Sequence, residues 1–276
     1  MNPTHPAGAL PGADLMTRTL RARLPGFGHL DWLESTGSTN ADLMALARAG
    51  AGAPLPWLQG AWLQQSGRGR AGRPWQASRG DALTFSFAFE APMALGQLPA
   101  LSPACGVAIC EALRELAGTA GARLGMKWPN DIQLGQAKLV GVLVESVKHA
   151  ASGAQVVVVG VGINLRNAAA LSQALGREVA DWSQLQTHHE PAELVQAVVL
   201  ACQQAVATCA ELGYAPFVAR HALVDVLRDA PVRVIDQGQV LLEGVALGTD
   251  SQGRLLVDTP AGPQPILVGE ISVRPA

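Results

Sequence analysis

Charge is scarce in this chain of 276 residues: 15% are Asp, Glu, Lys or Arg, and the formal balance is −2. Proteins that coat nucleic acid or anionic membranes rely on a broad surplus of Lys and Arg, so the composition argues against either as a general partner. Cysteine is sparse too. The four cysteines, at 105, 110, 202 and 209, form no C-x-x-C pair, and the last two stand seven apart in a helical pattern, the spacing of one buried face. They read as reduced core thiols. The N-terminus, Met1-Asn2-Pro3-Thr4-His5-Pro6, lacks a basic stretch leading into an apolar one, and no uninterrupted apolar run is long enough to cross a bilayer. The expectation is a cytoplasmic protein with no membrane segment.

An apolar fraction of 49% is ample for a buried core, and the length suits one large domain or one domain plus a small module. The scarce positive charge is concentrated. Gly67-Arg68-Gly69-Arg70-Ala71-Gly72-Arg73 places three arginines and three glycines in seven positions, between Gln64 and Trp75. Arginine supplies fixed charge and forked donors that match phosphate and carboxylate oxygens, while glycine lets backbone amides approach a ligand closely. An Arg/Gly loop can also be a solvated turn. A flanking amide and an indole favour a small-molecule site, since one can hydrogen-bond a ligand and the other can stack on it.

Residues 1–28 mix Pro, Gly, Ala and a few arginines and predict a flexible N-terminal arm, with only 15–24 suited to a helix. His29–Glu34 alternates like a strand. Ser38-Thr39-Asn40 then opens a helix over 41–48 that Gly50 closes, with Ser38 or Thr39 as N-cap. Capping alone explains such residues, yet a helix N-terminus also turns unpaired amides toward a polar ligand, and both readings can hold. Strands are expected at 57–63 and 83–89 and a helix over 98–116. In Lys127-Trp128-Pro129-Asn130-Asp131 the proline blocks helix continuation, leaving Lys127 at the end of an extended segment. Taken alone, Lys127 suits a surface position and Asn130-Asp131 a turn.

The β-branched runs 138–145 and 155–165 read as central strands. Gly160-x-Gly162 invites a dinucleotide-binding reading, but Leu165 stands at the third glycine position and no glycine-opened helix follows. A long amphipathic helix covers 191–213, and 214–228 also reads as helical. From Pro231 the pattern changes to short strands at 232–235, 239–247, 254–258 and 265–268, separated by Asp/Gly turns. The fold class is therefore α+β, a mixed sheet flanked by helices over 29–229, followed by a small β-barrel-like module over 230–276.

Six segments in order resemble the biotin protein ligases: Ser38-Thr39-Asn40; Gln64-x-x-Gly67-Arg68-Gly69-Arg70-x-Gly72-Arg73-x-Trp75; Lys127-Trp128-Pro129-Asn130-Asp131; Lys138-Leu139-x-Gly141-x-Leu143-x-Glu145; Gly160-x-Gly162-Ile163-Asn164; and Gly269-Glu270-Ile271-Ser272. The resemblance implies a class II synthetase-like catalytic domain with an SH3-like C-terminal barrel. It implies two steps: the biotin carboxylate attacks the α-phosphate of MgATP to give biotinyl-5′-AMP and pyrophosphate, and a lysine of the biotin carboxyl carrier protein of acetyl-CoA carboxylase then attacks the acyl carbon. Ser38, Thr39, Asn40, Gln64, Arg68, Gly69, Arg70 and Lys127 would bind biotin, with Lys127, Arg70 and Arg68 catalytic. Arg73, Trp75, Asn130 and Asn164 would bind nucleotide, and whether Asp131 helps hold Mg²⁺ is left open. No role follows for Glu145 or Glu270.

Such chemistry needs no enzyme nucleophile. It needs two anions brought together, fixed cations against the charge growing on phosphorus, and exclusion of water from a labile anhydride. Some family members carry an N-terminal winged helix-turn-helix and repress transcription; fewer than about thirty residues precede the first strand here, so no DNA binding is expected. A homodimer through sheet edges stays open. The alternatives are a lipoate or octanoate ligase or transferase of related architecture, and a DNA-binding protein using Arg73-Pro74 as a minor-groove hook. The clustered arginines and the C-terminal module weigh against the first, the net charge against the second.

Overall fold

In a computed structural model, which describes residues 10–50, 53–236, 238–267 and 272–275, the apolar runs assemble into a seven-stranded mixed sheet. Its strands are β1 (His29–Leu33), β2 (Trp57–Ala61), β3 (Ala82–Glu90), β4 (Leu124–Lys127), β5 (Asp131–Leu134), β6 (Ala137–Lys148) and β7 (Gln155–Asn164). They lie in the order β1-β2-β3-β7-β6-β5-β4, with β1 and β2 parallel and the other ladders antiparallel.

Helices cover both faces. On one side α1 (Ala13–Arg23), α3 (Leu101–Leu116) and α5 (Pro191–Leu212) share a core with Phe85, Phe87, Phe89, Val157, Val159, Val161 and Ile163. On the other, α2 (Thr39–Ala49) packs Leu43, Met44 and Ala47 on Trp57, Ala88, Val156 and Val158. Successive strand side chains point to opposite faces, so this division follows from period-two alternation. Each large side chain buried this way contributes about 1.5–3 kcal/mol. The same alternation brings a second, sparser set to the α2 face, because Ser86 pairs with Gly160, Gly160 with Leu143, and Gly162 with Gly141. That set forms the floor of the site.

Two expectations are corrected. Residues 13–23, placed by the sequence within a flexible arm, form α1, whose Met16 and Leu20 are buried in the main core. α1 also caps the edge of β1: the Trp32 N–H donates to Thr17 Oγ1 at 2.8 Å and Arg21 Nε to the Leu30 carbonyl at 3.0 Å. Residues 1–9 lie outside the described residues. The stretch 214–228, expected to be helical, is helical only at α6 (Phe217–Ala222). Beyond it Val224–Val226 runs beside β4, with the Met126 N–H donating to the Val224 carbonyl at 2.6 Å and the Val226 N–H to that of Met126 at 3.1 Å. A further helix, α4 (Ala168–Leu175), had no clear pattern in the sequence.

All four cysteines are buried free thiols. Helix α5 is long and apolar enough by length and composition to cross a membrane, but half of that span is buried in the protein, in the core it shares with α3.

The C-terminal strands β8 (Pro231–Asp236), β9 (Gln239–Thr249), β10 (Leu255–Thr259), β11 (Gly262–Ile266) and β12 (Ser272–Pro275) form an antiparallel sheet, ordered β11-β10-β9-β8-β12, with its own small core. Among the described residues no ladder joins β11 to β12, so the expected barrel is seen as an antiparallel sheet. Gly269, Glu270 and Ile271 lie outside the described residues. Trp128 belongs to this second core, and its Nε1 donates to the Gly253 carbonyl at 3.0 Å, which ties the segment after Lys127 to the C-terminal module.

Candidate active site

Four chain segments converge on one cavity above the glycine floor. Ser38 caps α2, its Oγ accepting from the Ala41 N–H at 3.5 Å, and so presents the first turn of the helix to the cavity. Gln64 Oε1 accepts from the Thr39 backbone N–H at 2.8 Å and lies 3.1 Å from Thr39 Oγ1, which fixes the amide against the helix start. The capping role and the ligand-facing role of this segment therefore coexist.

The Arg/Gly loop folds as a short hairpin. Trp75 N–H donates to the Gly67 carbonyl at 2.9 Å and Gly69 N–H to that of Arg73 at 2.7 Å, and the tip at Ala71 and Gly72 adopts φ of 52° and 66°. Positive φ is easy for glycine and costs an alanine some strain. Arg70 turns inward, its Nη1 donating to Asn130 Oδ1 at 3.1 Å. Burial holds its guanidinium below the ordinary value, Asp131 opposing the effect and Arg73 adding to it. Arg68 and Arg73 line the same cavity from more exposed positions.

Lys127, at the end of β4, lines the cavity as well. Asn130 acts as a strut: it receives Arg70 while its Nδ2 donates to the Val142 carbonyl at 2.6 Å. Trp75 lies on the floor made by Gly141 and Gly162, which face each other across β6 and β7; a Cβ at Gly162 would meet its ring at 2.3 Å and one at Gly141 at 2.8 Å. Gly160-x-Gly162 is thus a bare patch of sheet, not a phosphate-binding turn.

Ser38, Thr39, Asn40, Gln64, Arg68, Gly69, Arg70, Arg73, Trp75, Lys127, Asn130 and Asp131, all singled out in the sequence, line this one cavity. Asn164 does not. Its Nδ2 donates to the carbonyls of Lys138 at 3.3 Å and Ala180 at 3.1 Å, and it lines an adjoining recess behind Trp75. Lys138 has no role on sequence grounds, yet its Nζ sits 2.6 Å from Asp131 Oδ1 and 5.5 Å from the Trp75 ring centroid, inside the cavity. The β5–β6 hairpin brings lysine and aspartate together, which a linear reading of that stretch does not reveal. Arg177, just beyond α4, also reaches the rim. Asp131 is therefore committed to Lys138, and among the described residues no group of three His, Cys, Asp or Glu could hold a metal ion. Six cations, Arg68, Arg70, Arg73, Lys127, Lys138 and Arg177, around the one carboxylate of Asp131 make a site for anions.

Two family models match the chain. Residues 36–164 match the biotin/lipoate A/B protein ligase family. Residues 230–274 match the biotin protein ligase C-terminal domain, and the chain belongs to the biotin protein ligase family. It is similar to the bifunctional ligase/repressor BirA of Salmonella typhimurium, 31% identical over 216 residues that make up 77% of this chain and 65% of that protein. With the biotin-acetyl-CoA-carboxylase ligase of Paracoccus denitrificans it shares 32% identity over 254 residues, 87% of this chain and 98% of the relative. Among solved structures it resembles the biotin protein ligase from Aquifex aeolicus in complex with biotin and ATP, with a TM-score of 0.74 and 25% identity over 91% of this chain and 100% of that one.

Proposed function

We propose that the chain activates biotin with ATP and transfers it to a lysine of a carrier protein, the biotin carboxyl carrier protein of acetyl-CoA carboxylase. The observation that carries this reading is the meeting, in one cavity, of a polar amide-and-hydroxyl end (Thr39, Gln64) with a cationic end (Arg70, Lys127, Lys138). In the first step a carboxylate oxygen of biotin attacks the α-phosphorus of ATP and pyrophosphate leaves. In the second the carrier amine attacks the acyl carbon and AMP leaves. Magnesium enters with the nucleotide as MgATP, in keeping with the way this ion relies on substrate phosphates.

Arg68, Arg70 and Lys127 act on the reacting groups, offsetting charge where it grows on phosphorus, and Lys138 joins them. Ser38, Thr39, Asn40, Gln64 and Gly69 hold the biotin end. Arg73, Trp75, Asn130 and Asn164 serve the nucleotide, with Asn164 acting from the recess behind Trp75. Residues 29–229 carry catalysis and 230–276 form the second domain, joined through Trp128. We place the protein in the cytoplasm, without a DNA or membrane partner. A homodimer would use residues 143–148 of β6, an edge with no strand partner on one side among the described residues, since α1 and the 224–226 segment cover the outer edges of the sheet.

Pyrophosphate release from ATP, measured with biotin, lipoate and octanoate in turn, tests the reading together with a mass shift on a carrier peptide. Biotin-dependent release and labelling are expected. Release with lipoate in preference to biotin would overturn it.

A further inference from the structure

From Thr39 and Asn40 a polar line runs on through the sheet to two residues without a role above, Ser86 and Glu145. The Asn40 side chain, 5% exposed, is wedged against Gly160, where a Cβ would stand 2.2 Å from Asn40 Oδ1. Its Nδ2 donates to Glu145 Oε2 at 2.8 Å and approaches the Leu143 carbonyl at 3.5 Å. Its Oδ1 accepts from Ser86 Oγ at 2.5 Å, and the wholly buried Ser86 hydroxyl is 2.6 Å from Thr39 Oγ1. The line therefore runs Glu145–Asn40–Ser86–Thr39 and ends in the cavity beside Gln64.

Its direction is dictated from the far end. A carboxylate has no proton to give, so Glu145 can only accept, and that turns the NH₂ of the Asn40 amide toward it and the oxygen toward Ser86. The single Ser86 proton is then spent on Asn40, so Ser86 accepts from Thr39. The single Thr39 proton has two acceptors in reach, Ser86 Oγ at 2.6 Å and Gln64 Oε1 at 3.1 Å; the shorter contact takes it, and Gln64 Oε1 keeps the Thr39 backbone N–H at 2.8 Å. What Thr39 Oγ1 has left to offer the cavity is a lone pair.

We propose that Glu145, acting through Asn40 and Ser86, holds the Thr39 hydroxyl as a hydrogen-bond acceptor and so makes the pocket selective for a cyclic urea, whose ring N–H groups donate. The inference rests on the reading of biotin as the substrate. A dithiolane ring or a plain alkyl chain has no N–H and leaves that acceptor buried without a partner, a penalty that a pocket built to hydrogen-bond its ligand turns into discrimination. Glu145 touches no reacting atom and is a positioning residue.

Steady-state pyrophosphate release tests it. Glu145→Ala is expected to raise the KM for biotin about tenfold, the size of one lost hydrogen bond, with kcat and the KM for ATP within about twofold of the unaltered protein. Glu145→Gln should restore the biotin KM, because its amide oxygen can accept from Asn40. Desthiobiotin, which keeps the urea and lacks the sulfur, should lose as much as biotin does. Added to Thr39→Val, Glu145→Ala should cost nothing further, since the line no longer has an end to orient. Gly160→Ala, which leaves Glu145 in place and displaces Asn40, should raise the biotin KM in the same way. An unchanged biotin KM in Glu145→Ala, additivity with Thr39→Val, or equal losses for ATP and biotin would each overturn the inference. If the unaltered protein makes no biotinyl-adenylate, it is the functional reading that falls.

Discussion

Lys138 and Asp131 form the most consequential pair at the scale of single residues. Their 2.6 Å contact holds the ammonium over Trp75 inside the cavity, where carboxylate and phosphate would meet in the proposed reaction. Lys138→Ala removes a cation from the developing charge and strands Asp131 among the anions. Loss of about a hundredfold or more in the rate of adenylate formation is expected, on the scale of removing one charge-stabilising donor; a single-turnover assay reads it, and a loss confined to KM would contradict the assignment. A second pair lies behind β4. His221 Nδ1 and Asp225 Oδ2 are 3.6 Å apart and wholly buried. Burial holds His221 down to about 4, with Arg228 adding to the effect, and burial pushes Asp225 up to about 6. The folded state favours a neutral His221, so its contribution is complete above the ordinary 6.5 and lost as pH falls toward 4. It also favours a protonated Asp225, whose contribution is complete below the ordinary 3.8 and lost as pH rises through 6. The two slopes oppose each other. Asp225→Asn removes one of them, so its stability relative to the unaltered protein should be greater at pH 7 than at pH 4 by roughly 2 kcal/mol. Urea unfolding at both pH values measures the difference, and a constant offset would refute it.

Among the secondary-structure elements, the register of β6 on β7 decides what the site can be. Gly141 opposite Gly162 leaves a gap the size of two side chains, and the Trp75 indole fills it. Gly162→Ala puts a methyl group within 2.3 Å of that ring, so the indole must lift off the sheet and carry the Arg/Gly hairpin with it. A several-fold rise in the KM for ATP is expected, with little change in thermal stability, because the substituted position faces the cavity; an unaltered ATP KM would show that the floor is not part of the nucleotide site. The strands and the long helices were legible beforehand because their periods differ, alternation in β3 and β7 against a 3.6-residue stripe in α5. The helix at α1 was legible over 15–24 but its docking was not, since its three core contacts at Ala13, Met16 and Leu20 follow a stretch of glycines and prolines and sit among arginines that dilute the pattern.

For the molecule as a whole, the two cores meet at Trp128. The residue is adjacent in sequence to Lys127, yet it packs among Leu227, Val232 and Val257 and donates to Gly253. Trp128→Ala is expected to cost about 3–5 kcal/mol and to lower adenylation further by freeing the end of β4, whereas Trp128→Phe should lose mainly the hydrogen bond, about 1 kcal/mol. Denaturant unfolding followed through both domains distinguishes the two. Removal of residues 1–24 should also destabilise the protein, since it exposes the surface under Met16 and Leu20 and uncaps the β1 edge, with aggregation as the visible result.

The sequence by itself determined the class of elements, their order, the C-terminal change of character and most of the residues that line the cavity, because periodicity, turn chemistry and the Arg/Gly cluster are local properties of the chain. Asn164 in its recess, Lys138 beside Asp131, the glycine floor beneath Trp75 and the line from Glu145 to Thr39 were decided only when the strands paired. Each depends on which residue lies opposite which in neighbouring strands, and that register is set by the packing of the whole sheet between its helices, not by any stretch of sequence read alone.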